Sequence, residues 1–207
     1  MKKNFLKYLI FLILLSIFIL LSTLIQTGTI ENFDSCIYKF IENIRTDKLT
    51  SILKFFTKIG DVQSLFFISS ITVLIMLVFD KKKIAISVAL NIIISSISYV
   101  VLKNIFQRPR PEIAERLIEE NGFSFPSGHS TNNMAFYALA IYLVYKNVKN
   151  KKIRDIICLI LGIIPIIIGF SRMYLRVHYP SDVLGGFCLG IMVVILFTSF
   201  LYKKIRE

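Results

Sequence analysis

Residues 8–25 read YLIFLILLSIFILLSTLI, a run without a single charge. A helix needs about 20 mostly apolar residues to cross the hydrocarbon core of a bilayer. Five further segments of similar character follow, at residues 62–79, 84–102, 130–145, 153–170 and 183–202. Backbone polar groups cannot stay unpaired in lipid, so these segments are expected to be helices and not open strands. The expected fold is all-α: a single integral-membrane domain over residues 1–207 with six transmembrane helices. The fourth is the shortest and has to borrow residues at its outer end. The first follows Lys2, Lys3 and Lys7, as a signal peptide would. Its apolar run is longer than a signal peptide needs and no small-x-small cleavage site follows, so it reads as an uncleaved anchor.

Composition points the same way. Hydrophobic residues make up 55% of the 207, charged residues 18%, and the mean hydropathy is +0.69. Those values exclude a disordered chain and argue against an ordinary soluble enzyme. The net charge of +12 does not indicate nucleic acid, because the basic residues form short clusters between apolar runs. Fourteen of the 25 Lys and Arg fall on one side of the alternating spans, with Lys2, Lys3 and Lys7, Lys81–Lys83, Lys146 to Arg154, and Lys203 to Arg206. That side also carries only three acids, Asp80, Asp155 and Glu207, and is therefore expected to be cytoplasmic together with both termini. Cys36, Cys158 and Cys188 show no metal or disulfide spacing and read as small buried hydrophobes.

Two loops on the outer side are long. In residues 26–61, Ile30, Phe33, Ile37, Phe40, Ile41 and Ile44 recur at a helical period, with Glu31, Asp34, Lys39, Glu42 and Asn43 between them. This pattern predicts an amphipathic helix, lying at the interface or packed on neighbouring spans. The other loop, residues 103–129, is where chemistry begins.

Three groups of polar residues stand on the outer side: Lys103-x6-Arg110-Pro111, Pro126-Ser127-Gly128-His129, and Ser171-Arg172-x5-His178-x3-Asp182. Rim cations alone are usually snorkelling anchors or headgroup contacts. Ser127 suits a helix N-cap, and Gly128 lets another backbone or a ligand approach closely. A helix start also aims free N–H groups and a positive dipole end at an anion. The chain has only two histidines, and both fall in these groups. Two histidines, a carboxylate and three cations on one side suit phosphate chemistry: one imidazole attacks phosphorus and the other protonates the leaving oxygen. Asp182 can fix the tautomer of His178. Pro180 is expected to open the last helix, with His178 just outside it and Asp182 in its first turn.

These residues resemble the type 2 phosphatidic acid phosphatase superfamily, whose signature is K-x6-RP, PSGH and SR-x5-H-x3-D in that order. All eleven fixed positions are present here. The resemblance implies that Lys103, Arg110 and Arg172 bind phosphate oxygens, helped by Ser127 and Gly128. It implies that His178 is the nucleophile, Asp182 orients it, and His129 is the general acid. It implies no metal and no cofactor. The substrate implied is a membrane lipid phosphate drawn from the bilayer, such as phosphatidylglycerophosphate, phosphatidic acid or undecaprenyl diphosphate. With the charge bias, the site faces outward from the plasma membrane. Arg108-Pro109 duplicates the motif dipeptide, and Arg108 is a candidate second phosphate contact; Arg176 is read as facing solvent or headgroups. Glu112, Glu115, Glu119 and Glu120 surround Arg116 in a loop that selects substrate or is simply solvated. The competing reading, a non-catalytic transporter or scaffold, is disfavoured by the intact His129, His178 and Asp182. A transporter also tends to place its ionisable residues near the bilayer midplane.

Overall fold

The computed structural model of the chain describes residues 2–199, and within them all regular structure is helical. The order is α1 (Lys2–Gln26), α2 (Glu31–Asn43), α3 (Asp47–Ile59), α4 (Val62–Val78), α5 (Lys82–Phe106), α6 (Gly128–Asn147), α7 (Lys151–Tyr174) and α8 (Pro180–Ser199). A single 3₁₀ turn, Ile113–Glu115, interrupts the long link between α5 and α6. Each of the six apolar segments lies in one helix, except that Phe79 is the C-cap of α4 and that residues 200–202 of the last fall outside the described residues, as do Lys203, Lys204 and Arg206.

Four helices are long and apolar enough to cross a membrane: Phe5–Gln26 of α1, then α5, α7 and α8. The pair α3 and α4 passes the same test only jointly, bent by 51° at Gly60-Asp61. Helix α6 does not pass, and the reason is visible in its packing. Its first turns carry His129, Ser130, Thr131, Asn132 and Asn133, all buried. Their polar groups are satisfied inside the protein: Ser95 Oγ donates to Asn132 Oδ1 at 2.8 Å, Asn132 Nδ2 to Ser96 Oγ at 3.0 Å, and Asn133 Nδ2 to the Gly60 carbonyl at 2.7 Å. Such inter-helix hydrogen bonds hold helices together where apolar contact alone gives little preference. Helix α6 is thus an interior helix, packed by α4, α5, α7 and α8.

Helix α8 is its main partner. A Cβ at Gly186 would lie 2.7 Å from the Ser127 carbonyl oxygen, and one at Gly190 2.6 Å from that of Thr131. Only glycine permits this approach, which seats the start of α6 directly against α8. On the far side of α8, Phe18 and Leu21 of α1 pack with Leu189, Met192 and Val193, and Phe125 fills the gap beside Phe18 and Phe106. The outward faces of α1, α4 and α7 leave Leu12, Leu20, Phe66, Phe67, Leu159 and Ile166 exposed, as lipid contact requires.

The segment before α4 forms two amphipathic helices where one was expected. Thr46 breaks it: the residue is extended and its hydroxyl caps α3 by accepting from Leu49 N at 3.2 Å. Tyr174 Oη holds the break by bonding Thr46 and Thr50. Tyr38, Ile41 and Leu53 pack on Tyr174, Leu175 and Val177, so both helices lie on the α7–α8 corner. Cys36, expected to be buried, is exposed on α2; Cys158 is half-buried and Cys188 buried.

Candidate active site

The ends of α5 and α7 and the starts of α6 and α8 meet at one end of the bundle, together with the 107–127 link and the α3–α4 bend. Local capping aims each group. Ser127 is the N-cap of α6, its hydroxyl accepting from Ser130 N at 3.3 Å, and its own N–H donates to the Asp182 carbonyl at 3.0 Å. Pro180 is the first residue of α8, His178 lies just outside, and Asp182 sits in the first turn. A Cβ on Gly128 would lie 2.9 Å from the Tyr99 ring.

His178 is 1% exposed and held on both ring nitrogens. Arg110 Nη1 is 3.0 Å from Nε2, while Nδ1 is 3.4 Å from Asp182 Oδ2 and 3.4 Å from Ser124 Oγ. Guanidinium has no acceptor, so Nε2 carries the lone pair and Nδ1 the proton in the neutral ring. Burial first, then the charges of Arg110, Lys103 and Arg172, hold the His178 pKa well below its ordinary value. The imidazole is therefore neutral at pH 7.

Asp182 is fully buried and uses its two oxygens differently. Oδ2 accepts from Tyr179 N at 2.8 Å and from the Ser124 hydroxyl. Oδ1 accepts from Arg108 Nη1 at 2.6 Å. Arg108 is not turned toward the cationic cluster around His178; its other amino group donates to Asp34 Oδ2 at 2.8 Å.

Arg110 is anchored by the carbonyls of Asn121, Gly122 and Val177. Burial lowers its pKa to about 10, which leaves it charged at neutral pH. Arg172 is 1% exposed; Nη1 donates to Thr57 Oγ1 at 2.7 Å, Nη2 pairs with Glu120, and Nε has no partner. Glu120 also stands 3.7 Å from Arg110 Nη2, so its carboxylate lies between the two guanidinium groups. Lys103 Nζ donates to the carbonyls of Phe123 and Ser124 and steadies the chain ahead of α6. His129 Nε2 lies 3.4 Å from Asp61 Oδ1, and the two share with Arg172, Glu120, Thr57 and Lys54 a cavity of about 450 Å³.

The eight residues singled out from the motifs thus gather at one place. His178 contacts both Arg110 and Asp182; Arg172 joins through Glu120; His129 faces the same cavity as Arg172; Ser127 and Gly128 form the start of α6. Arg176, read as facing outward, is instead buried over the Tyr38 ring and paired with Glu42 and Glu115. Asp34, Asp61, Thr57 and Ser124 were not singled out for a role in the site, because nothing in their spacing distinguishes them from solvated loop or helix positions; Glu120 was read only as one of four acids in a loop that selects substrate or is solvated. Among the described residues, no three His, Cys, Asp or Glu side chains are grouped to hold a metal.

Known proteins show the same organisation. The model of the PAP2 superfamily matches residues 84–206. Phosphatidylglycerophosphatase B of Bacillus subtilis is 32% identical over 189 residues, covering 88% of this chain and 90% of the relative. The undecaprenyl-diphosphatase of Sulfolobus acidocaldarius is 28% identical over 204 residues, covering 94% and 90%. The crystal structure of a transmembrane PAP2 type phosphatidylglycerolphosphate phosphatase from Bacillus subtilis superposes with a TM-score of 0.82 at 31% identity, covering 98% of both chains. This chain belongs to the PAP2 superfamily, and its bundle is the transmembrane form of that fold.

Proposed function

We propose that the protein is a membrane lipid phosphate phosphatase working through a phosphohistidine on His178, without a metal. The observation that carries the reading is the two-sided hold on His178, with Arg110 on Nε2 and Asp182 on Nδ1. The phosphate displaces Glu120 from Arg172 and Arg110, and the unpartnered Arg172 Nε gains an oxygen. Arg110 passes its N–H from Nε2 to a phosphate oxygen, which frees the lone pair. Nε2 then forms a bond to phosphorus as the bond to the lipid oxygen breaks, and His129 protonates that oxygen. Water next attacks the phosphorus of the phosphohistidine, His129 takes its proton, the bond from phosphorus to His178 Nε2 breaks with its electron pair returning to Nε2, and inorganic phosphate leaves. Lys103, Arg110 and Arg172, with the Ser127 hydroxyl and the Gly128 N–H, balance the charge that develops on the phosphoryl oxygens.

The names of the relatives support phosphatidylglycerophosphate first and undecaprenyl diphosphate second, with phosphatidic acid as the simpler member of the same class. Purified protein assayed against these three lipids decides among them, and release of phosphate from none of them contradicts the reading. Hydrolysis is expected to persist in excess EDTA and to be inhibited by orthovanadate, which mimics the pentavalent state. A strict Mg²⁺ requirement would overturn the metal-free reading.

The pH profile follows from the site. Protonation of His178 removes the attacking lone pair, and its lowered pKa delays that loss until well below the ordinary value of about 6.5. The acid limb of kcat/KM should therefore lie well below pH 6.5. Burial first, then the charge of Arg172, holds the His129 pKa well below its ordinary value as well, so the basic limb, where this acid loses its proton, should also be displaced toward acid pH. An acid limb at 6.5 or above would contradict the assignment.

The domain is proposed to cross the plasma membrane six times, with α6 as an internal span and α4 completed by the bend to α3. The clusters Lys81–Lys83 and Lys146 to Arg154 support placing both termini in the cytoplasm and the site outside. A membrane-impermeant thiol reagent on intact cells should then label exposed Cys36 in preference to Cys158 and Cys188. Labelling from outside of a cysteine introduced at Lys82 or Lys151 would reverse the orientation.

A further inference from the structure

We propose that Arg108 and Asp34 are positioning residues for the nucleophile, so that α2 belongs to the catalytic machinery through Asp182. The inference rests on the reading above, in which Asp182 orients His178. The repeated Arg-Pro pair is used twice at one histidine–carboxylate dyad. Arg110 holds the His178 end at Nε2, and Arg108 holds the Asp182 end at Oδ1, 2.6 Å away.

Arg108 is itself held from α2. Asp34 Oδ2 accepts from Arg108 Nη2 at 2.8 Å and from Ser181 Oγ at 2.8 Å, while Oδ1 accepts from Ser181 N at 2.9 Å. Ser181 Oγ lies 2.8 Å from Arg108 Nη1 as well, which closes the network. Asp34, Arg108, Ser181 and Asp182 are all buried, and Arg108 stacks 4.0 Å over the Tyr179 ring. A carboxylate rotates freely only if its oxygens are free. Here Arg108 fixes Oδ1, so Oδ2 stays aimed at Tyr179 N and His178 Nδ1.

The rest of α2 serves the same segment. Asp34, Tyr38 and Glu42 stand one turn apart on one helix face. Tyr38 Oη donates to the His178 carbonyl at 2.9 Å, and Glu42 pairs with Arg176. Three successive turns of α2 therefore hold residues 176–182, the stretch that carries the nucleophile and its carboxylate. Neither Asp34 nor Arg108 touches Lys103, Arg110 or Arg172, so their influence should fall on the chemical step and not on phosphate binding.

The test compares Asp34→Asn, Arg108→Gln, Asp182→Asn and the Arg108→Gln/Asp182→Asn double variant in the purified full-length protein. Inhibition constants of the product, inorganic phosphate, report whether the phosphate site is folded. Asp34→Asn and Arg108→Gln are expected to lower kcat about 10- to 100-fold with KM and inorganic phosphate affinity unchanged, the usual scale for residues that orient a functional group. Arg108→Lys, which keeps the charge but loses the fork, should recover part of the loss. In the Asp182→Asn background, Arg108→Gln should add little, since both act on one carboxylate. Should Arg108→Gln fail to fold, the shape-conserving Asp34→Asn decides. Wild-type kcat in the folded variants, or full additivity with Asp182→Asn, would overturn the positioning role while leaving the phosphatase reading intact. Wild-type kcat in Asp182→Asn itself would overturn the orienting role of Asp182 and, with it, the positioning role of Arg108 and Asp34.

Discussion

His178→Ala is expected to abolish turnover of every lipid phosphate, because the substitution removes the atom that bonds phosphorus. The side chain is fully buried, and the hydroxyl beside it, that of Ser124, is committed to Asp182. His129→Ala should behave differently. Attack remains possible, yet the lipid alkoxide leaves without a proton, so lipid hydrolysis should fall by about 10²–10⁴, the range for losing general acid catalysis. With an activated aryl phosphate the leaving oxygen needs no proton, and the His129→Ala deficit should shrink while that of His178→Ala does not. Equal deficits on both substrate types would mean that the two histidines have been assigned the wrong roles. Values of kcat/KM, which report the step that forms the phosphohistidine and not its hydrolysis, measured for the two variants on a lipid phosphate and on an aryl phosphate make the comparison.

The second large effect is expected at Arg172. Its guanidinium is buried, fixed by Thr57 and Glu120, and keeps one buried N–H without a partner. An unpaired buried donor costs free energy, and a phosphate oxygen is the acceptor that would relieve it. Arg172→Ala should lower kcat/KM by about 10²–10³, the scale measured when one preorganised donor to a developing anion is lost. Arg172→Lys should recover little, because an ammonium cannot reproduce the planar fork. The loss should also appear as weaker inhibition by vanadate. A folded Arg172→Ala protein with wild-type kcat/KM would show that Glu120, and not phosphate, is the true partner of this arginine.

The membrane helices and the motif residues were legible because both depend on local pattern. A charge-free run such as residues 8–25 needs no tertiary context, and His129 and His178 stand out as the chain's only histidines. The fourth segment was harder to read. Helix α6 looks short because its first turns are polar, and only the packing explains why: Ser95, Ser96 and Gly60 supply the partners of Asn132 and Asn133. The two-helix character of residues 31–59 depended on a single cap at Thr46, braced by the distant Tyr174. Asp34 was read as one more polar position on an amphipathic helix, since periodicity separates faces but does not say which polar residue meets a buried arginine. Arg108 and Arg110 sit in identical Arg-Pro pairs, so spacing alone could not show that one turns to His178 and the other to Asp182. Glu120 was equally hidden, as its partners lie on other elements.

The phosphohistidine is the point on which the account depends. Rapid acid-free quenching of the purified enzyme during turnover of phosphorus-labelled lipid phosphate, followed by peptide mapping, reads it directly. The account predicts one acid-labile, base-stable phosphate on the peptide containing His178, present in the wild type, increased in His129→Ala with an aryl phosphate as hydrolysis of the intermediate slows, and missing in His178→Ala. Label on any other residue, or His178→Ala turning over lipid phosphate near the wild-type rate, would contradict it.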